Sequence, residues 1–186
     1  MAHYDGTSGS KARGTDDPME VLRLASQSGK VGLRAIEEAL TDAEVTAARL
    51  AGQPVPGSLA ALEAARASGR KVAIVSNNSS ACVRSFLTLH QLHHLVDAVV
   101  GRAPYRPDLM KPDPYLLLLA SDELEERPQG CTLIGDSVTD IEAAQATGGR
   151  SIGFANKPGK DGALSDAGAD VVVASMASVA EAFRSL

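Results

Sequence analysis

Tryptophan is absent from this chain, and three tyrosines and three phenylalanines are the only other large aromatic side chains in 186 residues. A core must therefore be built from Ala, Val, Leu and Ile, which make up most of the 44% apolar share. Cysteine is scarce too. Cys82 and Cys131 fit no zinc spacing, and one pair is too few for a disulfide scaffold. They read as small buried hydrophobes in a reducing cytoplasm. There is no basic excess: 18 Lys and Arg against 23 Asp and Glu leave a dispersed net charge of −5. That argues against a nucleic-acid partner, which calls for a basic stripe. Nothing resembles a signal peptide, and no apolar run approaches the ~20 residues of a membrane span. The longest, Leu116 to Ala120, reads as a buried helix face. Internal repeats, a Walker loop and a dinucleotide glycine fingerprint are missing as well.

What is present divides the chain into three stretches. Residues 1–15 are polar, rich in Gly and Ser, and without periodicity; they read as a flexible arm. Residues 16–52 read as all-helical. Asp17-Pro18 offers an acidic cap followed by proline at the first helical position. Val31, Leu33, Ile36, Ala39 and Leu40 belong to a second helix, and Thr41-Asp-Ala-Glu44 has the pattern of a capping box opening a third. From residue 53 to 186 the rhythm becomes alternating helix and strand. Short apolar strands at 71–75, 96–100, 132–134, 150–154 and 170–173, separated by helices, predict a parallel sheet covered on both faces. The fold class is α/β, a three-layer doubly wound parallel sheet with a helical piece at its N-terminus.

The stretch Thr132-Leu-Ile-Gly-Asp-Ser-Val-Thr-Asp140 organises the rest. Gly135 turns the backbone out of a strand, and Asp136 and Asp140 follow at the start of a helix. Ligands of open α/β folds bind at that carboxyl edge. Two carboxylates there suit Mg²⁺, which takes one or two protein oxygens and leaves the rest to water and phosphate. Either acid could instead simply cap the helix. Ser76, directly after the strand Val-Ala-Ile-Val75, offers a hydroxyl and, with Asn77, a run of backbone N–H groups for a phosphate oxygen. Lys111, held in Met-Lys-Pro-Asp-Pro, can neutralise phosphate. Asn156 and Lys157 sit at another strand end and border the same edge. His90, His93 and His94 read as helix-end histidines, and Arg102, Tyr105 and Arg106 as a solvated loop before Lys111.

The order of a hydroxyl-ended strand, then Lys-Pro, then Gly-Asp-Ser-x-x-Asp resembles the haloacid dehalogenase-like hydrolase superfamily, particularly its small phosphatases with a helical cap. The likeness covers residues 54 to 175. Ser76 matches the second motif, Lys111 the third, and Asp136 with Asp140 the fourth. The resemblance implies a Rossmann-like core and a partial cap at 16–52. It also implies Mg²⁺ held by Asp136 with Asp140, and a small phosphorylated metabolite as substrate. Ser76 and Lys111 are the catalytic residues it implies, with Ser76, Asn77 and Lys111 on the phosphate.

The family's first motif, a strand followed by Asp-x-Asp-x-Thr/Val, supplies a nucleophilic and an acid–base aspartate. The nearest echo is His3-Tyr-Asp-Gly-Thr7, which puts Asp5 at the acid–base position and His3 at the nucleophile position, with only two residues before it. The family places that first strand between the strands ending at Ser76 and at Gly135. Its loss leaves two unpaired edges, and the sheet closes over the gap, another segment fills it, or the native gene starts further upstream. Two readings follow: a Mg²⁺-dependent phosphatase whose nucleophile is not identified, or a catalytically inactive binding or regulatory module. An exposed central edge also invites self-association.

Overall fold

The computed structural model describes residues 15–27 and 29–185. Asp5 and His3 lie outside the described residues. The first described helix, α1 (Pro18–Ser26), begins as its sequence predicts: Asp17 Oδ1 accepts from the Met19 N–H at 2.9 Å, with Pro18 in the first turn. The next helix differs from the expectation. Thr41 opens no third helix; α2 runs unbroken from Lys30 to Arg49, 20 residues or about 30 Å. No glycine or proline interrupts residues 33–51. Glu44 closes no capping box but lies two turns beyond Glu37 on the same face, and both are buried.

The α/β part follows as α3 (Ser58–Ala67), β1 (Ala73–Val75), α4 (Ser80–Leu89), β2 (Ala98–Val100), α5 (Tyr115–Glu123), β3 (Thr132–Gly135), α6 (Val138–Thr147), β4 (Arg150–Phe154), α7 (Lys160–Asp166), β5 (Val171–Val173) and α8 (Met176–Arg184). Every pairing is parallel. In β2, Val99 packs with Leu87 of α4, while Val100 packs with Leu116 and Ala120 of α5. Successive strand residues thus bury on opposite faces, and helices cover both. Helices α3 and α8 meet through Ala61, Ala64, Val179 and Ala180 over Ile134 of β3 and Val173 of β5. Small alanines let these helices approach the sheet closely, which is how a core poor in aromatics fills its space. The stretch 116–120 is not buried throughout: Leu116 and Ala120 are, but Leu118 is exposed. Cys82 and Cys131 are free thiols and only half-buried.

The strands do not form one continuous ladder. Among the described residues β1 pairs with β2, and β3-β4-β5 form a second sheet. The edges of β1 and β3 therefore face the gap without a hydrogen-bonded strand between them. The helical piece lies beside this gap: Leu22, Ala25 and Leu33 bury against Met110, with Met19, Ile36 and Leu40 around them. Among the described residues no helix is long and apolar enough to cross a membrane.

One charge closes the start of the first ladder. Asp97 Oδ2 accepts from the Val72 N–H at 2.7 Å and from Arg66 Nη1 at 2.6 Å. The Val72 N–H, and then Arg66, hold the Asp97 carboxyl below its usual range. A carboxylate depressed in the folded state adds stability above its unfolded pKa of about 3.9 that is lost as pH falls through the folded value. Urea midpoints at pH 6 and pH 3 are expected to differ less in Asp97→Asn than in the wild type.

Candidate functional site

Two strand ends meet at Lys111, that of β1 and that of β3. At the first, the Ser76 N–H donates to Val100 O at 3.0 Å, carrying the β1–β2 ladder one residue past Val75. Ser76 Oγ accepts from the Asn78 N–H at 3.1 Å, folding the turn back toward α4. That helix is capped by Ser79, whose hydroxyl accepts from the Cys82 N–H. The Asn77 side chain has its own partners. Its Oδ1 accepts from the Lys111 N–H at 2.8 Å and its Nδ2 donates to Lys111 O at 3.2 Å. The amide is committed to the lysine backbone on both sides, so Asn77 positions Lys111 rather than offering its side chain to a phosphate.

Lys111 is buried, and its Nζ donates to Val75 O at 3.0 Å and pairs with Asp140 Oδ1 at 2.7 Å. One ammonium thus ties the end of β1 to the start of α6, across the gap between the two sheets. Its backbone is held as firmly: Arg23 Nη2 reaches Lys111 O, and Met110 is anchored among α1 and α2.

Asp140 is buried and fully engaged. Its Oδ2 accepts from the Ser137 N–H at 3.1 Å and from Ser137 Oγ at 2.7 Å, and its own N–H donates back to Ser137 Oγ. This is a reciprocal cap at the head of α6. A Cβ at Gly135 would collide with the Asp140 side chain, so the glycine is what lets this carboxylate fold over the strand end toward Lys111. The capping and functional readings of Asp140 are therefore the same geometry: one oxygen caps and the other orients the lysine.

Asp136 stands one residue beyond β3 with its side chain half exposed. Its Oδ2 accepts from Asn156 Nδ2 at 2.9 Å and from Lys160 Nζ at 2.6 Å, and Lys160 Nζ also reaches Asp136 O at 2.7 Å. Burial pushes its carboxyl up, but the Lys160 ammonium and the Asn156 amide outweigh it and hold the group below the usual range. The sequence placed Asn156 here correctly. Lys157, read as bordering the same edge, makes no bond to Asp136 among the described residues; the cation there is Lys160, beyond the turn through Gly159.

Arg102 is not a solvated loop residue. It is buried directly after β2, where Gly101 packs so closely on Ser80 that a Cβ would strike its backbone. Arg102 Nε donates to Glu37 Oε1 at 2.9 Å, and Nη1 donates to Glu44 Oε1 at 2.7 Å and to Asn77 O at 2.8 Å. Glu44 Oε2 accepts from the Ser79 N–H at 2.8 Å. The long helix α2 is thereby clamped to the loop that carries Ser76 and Asn77. The clamp is not saturated. Nη2 lies 2.8 Å from Glu37 Oε1 yet makes no hydrogen bond among the described residues, and Glu37 Oε2 has no donor.

A hard cation fits the residues present to a limited extent. Among the described residues no three His, Cys, Asp or Glu side chains gather as a metal-binding group. Mg²⁺ asks for fewer protein oxygens, completing its shell with water and phosphate. Asp136 offers an accessible carboxylate, whereas Asp140 can contribute only through Lys111. The histidines 93 and 94 bond Thr88 Oγ1 and Gln91 O, within their own turn.

Residues 11–154 match the haloacid dehalogenase-like hydrolase family. A phosphoglycolate phosphatase of Nitrosospira multiformis is 37% identical over 93 residues, 50% of this chain and 40% of that protein. Another from Aliivibrio fischeri is 33% identical over 111 residues, 60% of this chain and 48% of that one. The chain spans less than half the length of these two curated relatives. A solved HAD family hydrolase from Deinococcus radiodurans R1, with bound phosphate and sodium, superposes with a TM-score of 0.61 at 26% identity. It covers 96% of this chain and 73% of its own. On the extent of the family match and the α/β architecture that accompanies it, the chain belongs to the haloacid dehalogenase-like hydrolase family.

Proposed function

We propose that this chain carries the phosphate- and cation-binding part of a Mg²⁺-dependent phosphatase for a small phosphomonoester. The observation that carries the reading is the Lys111 ammonium, held 3.0 Å from Val75 O and 2.7 Å from Asp140 Oδ1. That contact gathers the residues matching the second, third and fourth motifs at one sheet edge. Ser76 Oγ and the Asn77 N–H receive phosphate oxygens, the Asn78 and Ser79 N–H groups being held by Ser76 Oγ and Glu44 Oε2. Lys111 offsets the charge collected there, and Asn77 and Asp140 keep its ammonium aimed. Asp136 holds Mg²⁺, and Asp140 supports it through Lys111. When bound, the ion supplies positive charge to the transferring group. The names of the curated relatives make a small phosphorylated carboxylic acid, phosphoglycolate first, the substrate to try.

A second reading, a module that binds phosphate without turnover, has one observation in its favour. Asp140 spends both oxygens on Lys111 and Ser137, and Asp136 Oδ2 is taken by Asn156 and Lys160. Neither acid is poised as a free nucleophile. Incubation with a generic aryl phosphate and Mg²⁺ separates the two. Turnover in the wild type that falls at least a hundredfold in Asp136→Ala supports the phosphatase. A folded wild type with no turnover on the aryl phosphate or on phosphoglycolate rejects it and leaves the binding module.

A further inference from the structure

Asp136 already has a cation. Lys160 opens α7, and its Nζ stands 2.6 Å from Asp136 Oδ2 and 2.7 Å from Asp136 O. Two oxygens of one residue converge on one ammonium. Asn156 donates to the same Oδ2 at 2.9 Å, so both lone-pair directions of that oxygen are used. A divalent ion arriving at Asp136 meets one free carboxylate oxygen beside a fixed positive charge. Like charges sharing a carboxylate repel strongly wherever water is partly excluded, and the Lys160 side chain is only 32% exposed. Lys160 is also able to withdraw. It follows Gly159, whose φ is 84°, and a lysine side chain has four rotatable carbons and no rigid fork.

From this geometry we infer that Lys160 is a built-in competitor of the divalent cation at Asp136, and that cation binding displaces the ammonium from Oδ2. The inference rests on the reading of Asp136 as the cation ligand. It adds a specific consequence: this chain binds its cation more weakly than the same site without Lys160. On the reading that Ser76 and Lys111 take the phosphate, an ammonium released from Asp136 adds positive charge to the same sheet edge, so phosphate and cation favour one another's binding.

Mn²⁺ titration followed by the electron paramagnetic resonance signal of the free ion tests this without any turnover. Lys160→Met is expected to bind Mn²⁺ about tenfold more tightly than the wild type, and Lys160→Gln to tighten binding in the same direction. Lys160→Arg is expected to stay near the wild type, and Asp136→Asn to abolish binding in either background. Added inorganic phosphate is expected to tighten Mn²⁺ binding more in the wild type than in Lys160→Met. Unchanged or weaker Mn²⁺ binding in both Lys160→Met and Lys160→Gln, with Asp136→Asn still abolishing it, overturns the competition and leaves Asp136 as the ligand. Asp136→Asn that binds as well as the wild type overturns both statements at once. Circular dichroism of each variant confirms that the folded chain is being compared.

Discussion

Arg102→Ala is expected to lower the unfolding free energy by about 3–5 kcal/mol, the cost of leaving buried charges without their partner. Arg102 and its two carboxylate partners have side chains almost without solvent access, at 0%, 7% and 8%. Removing the guanidinium strands Glu37 and Glu44 together and takes a donor from Asn77 O. Restoring a neutral network is expected to recover most of the loss. In the triple variant Glu37→Leu, Glu44→Gln, Arg102→Met the glutamine still accepts from the Ser79 N–H while the charges vanish. Well-packed apolar replacement of a buried ion cluster is often neutral or better. Urea midpoints of the wild type, the single variant and the triple variant measure both halves of the prediction. A single variant within 1 kcal/mol of the wild type contradicts the clamp.

The second large effect belongs to Lys111. Lys111→Met keeps the length of the side chain and removes the one ammonium that bridges the strand ends. Asp140 keeps its Ser137 donors, so the expected loss of stability is about 3 kcal/mol, the low end for breaking a buried pair. The functional loss has a separate cause: the residue that offsets the ligand's charge is gone while Asp140 remains negative beside the phosphate position. Phosphate affinity is expected to fall at least tenfold, roughly one charge-assisted hydrogen bond. In Asp140→Asn a single amide oxygen remains to accept, from Lys111 or from the Ser137 N–H but not from both.

Local signals carried most of this architecture. Asp17-Pro18 marked α1 because a cap needs only its own neighbours. The Gly135-to-Asp140 turn was legible because its contacts close within six residues, including the reciprocal cap with Ser137. Strand starts were read too long. Residues 71 and 72 were counted into β1, but the Val72 N–H goes to the Asp97 side chain instead of to a ladder partner. The Arg102 clamp left no trace in the sequence. Its partners lie 58 and 65 positions away, and Glu44 sits in a pattern that imitates a cap. A buried ion cluster is set by tertiary placement, and no period or spacing announces it. Lys160 escaped for a smaller reason of the same kind. The turn at Pro158 and Gly159 decides which of two nearby lysines returns to Asp136, and either fits the sequence equally well.

Inorganic phosphate titrated against the folded protein in the presence of Mg²⁺, followed calorimetrically, puts the central claim to its most direct trial. Saturable one-site binding to the wild type, weakened at least tenfold in Lys111→Met and also weakened in Ser76→Ala, is the predicted result. A wild type that takes up no phosphate, or a Lys111→Met protein that binds it as tightly as the wild type, would contradict a phosphate site built on the bridge between Val75 and Asp140.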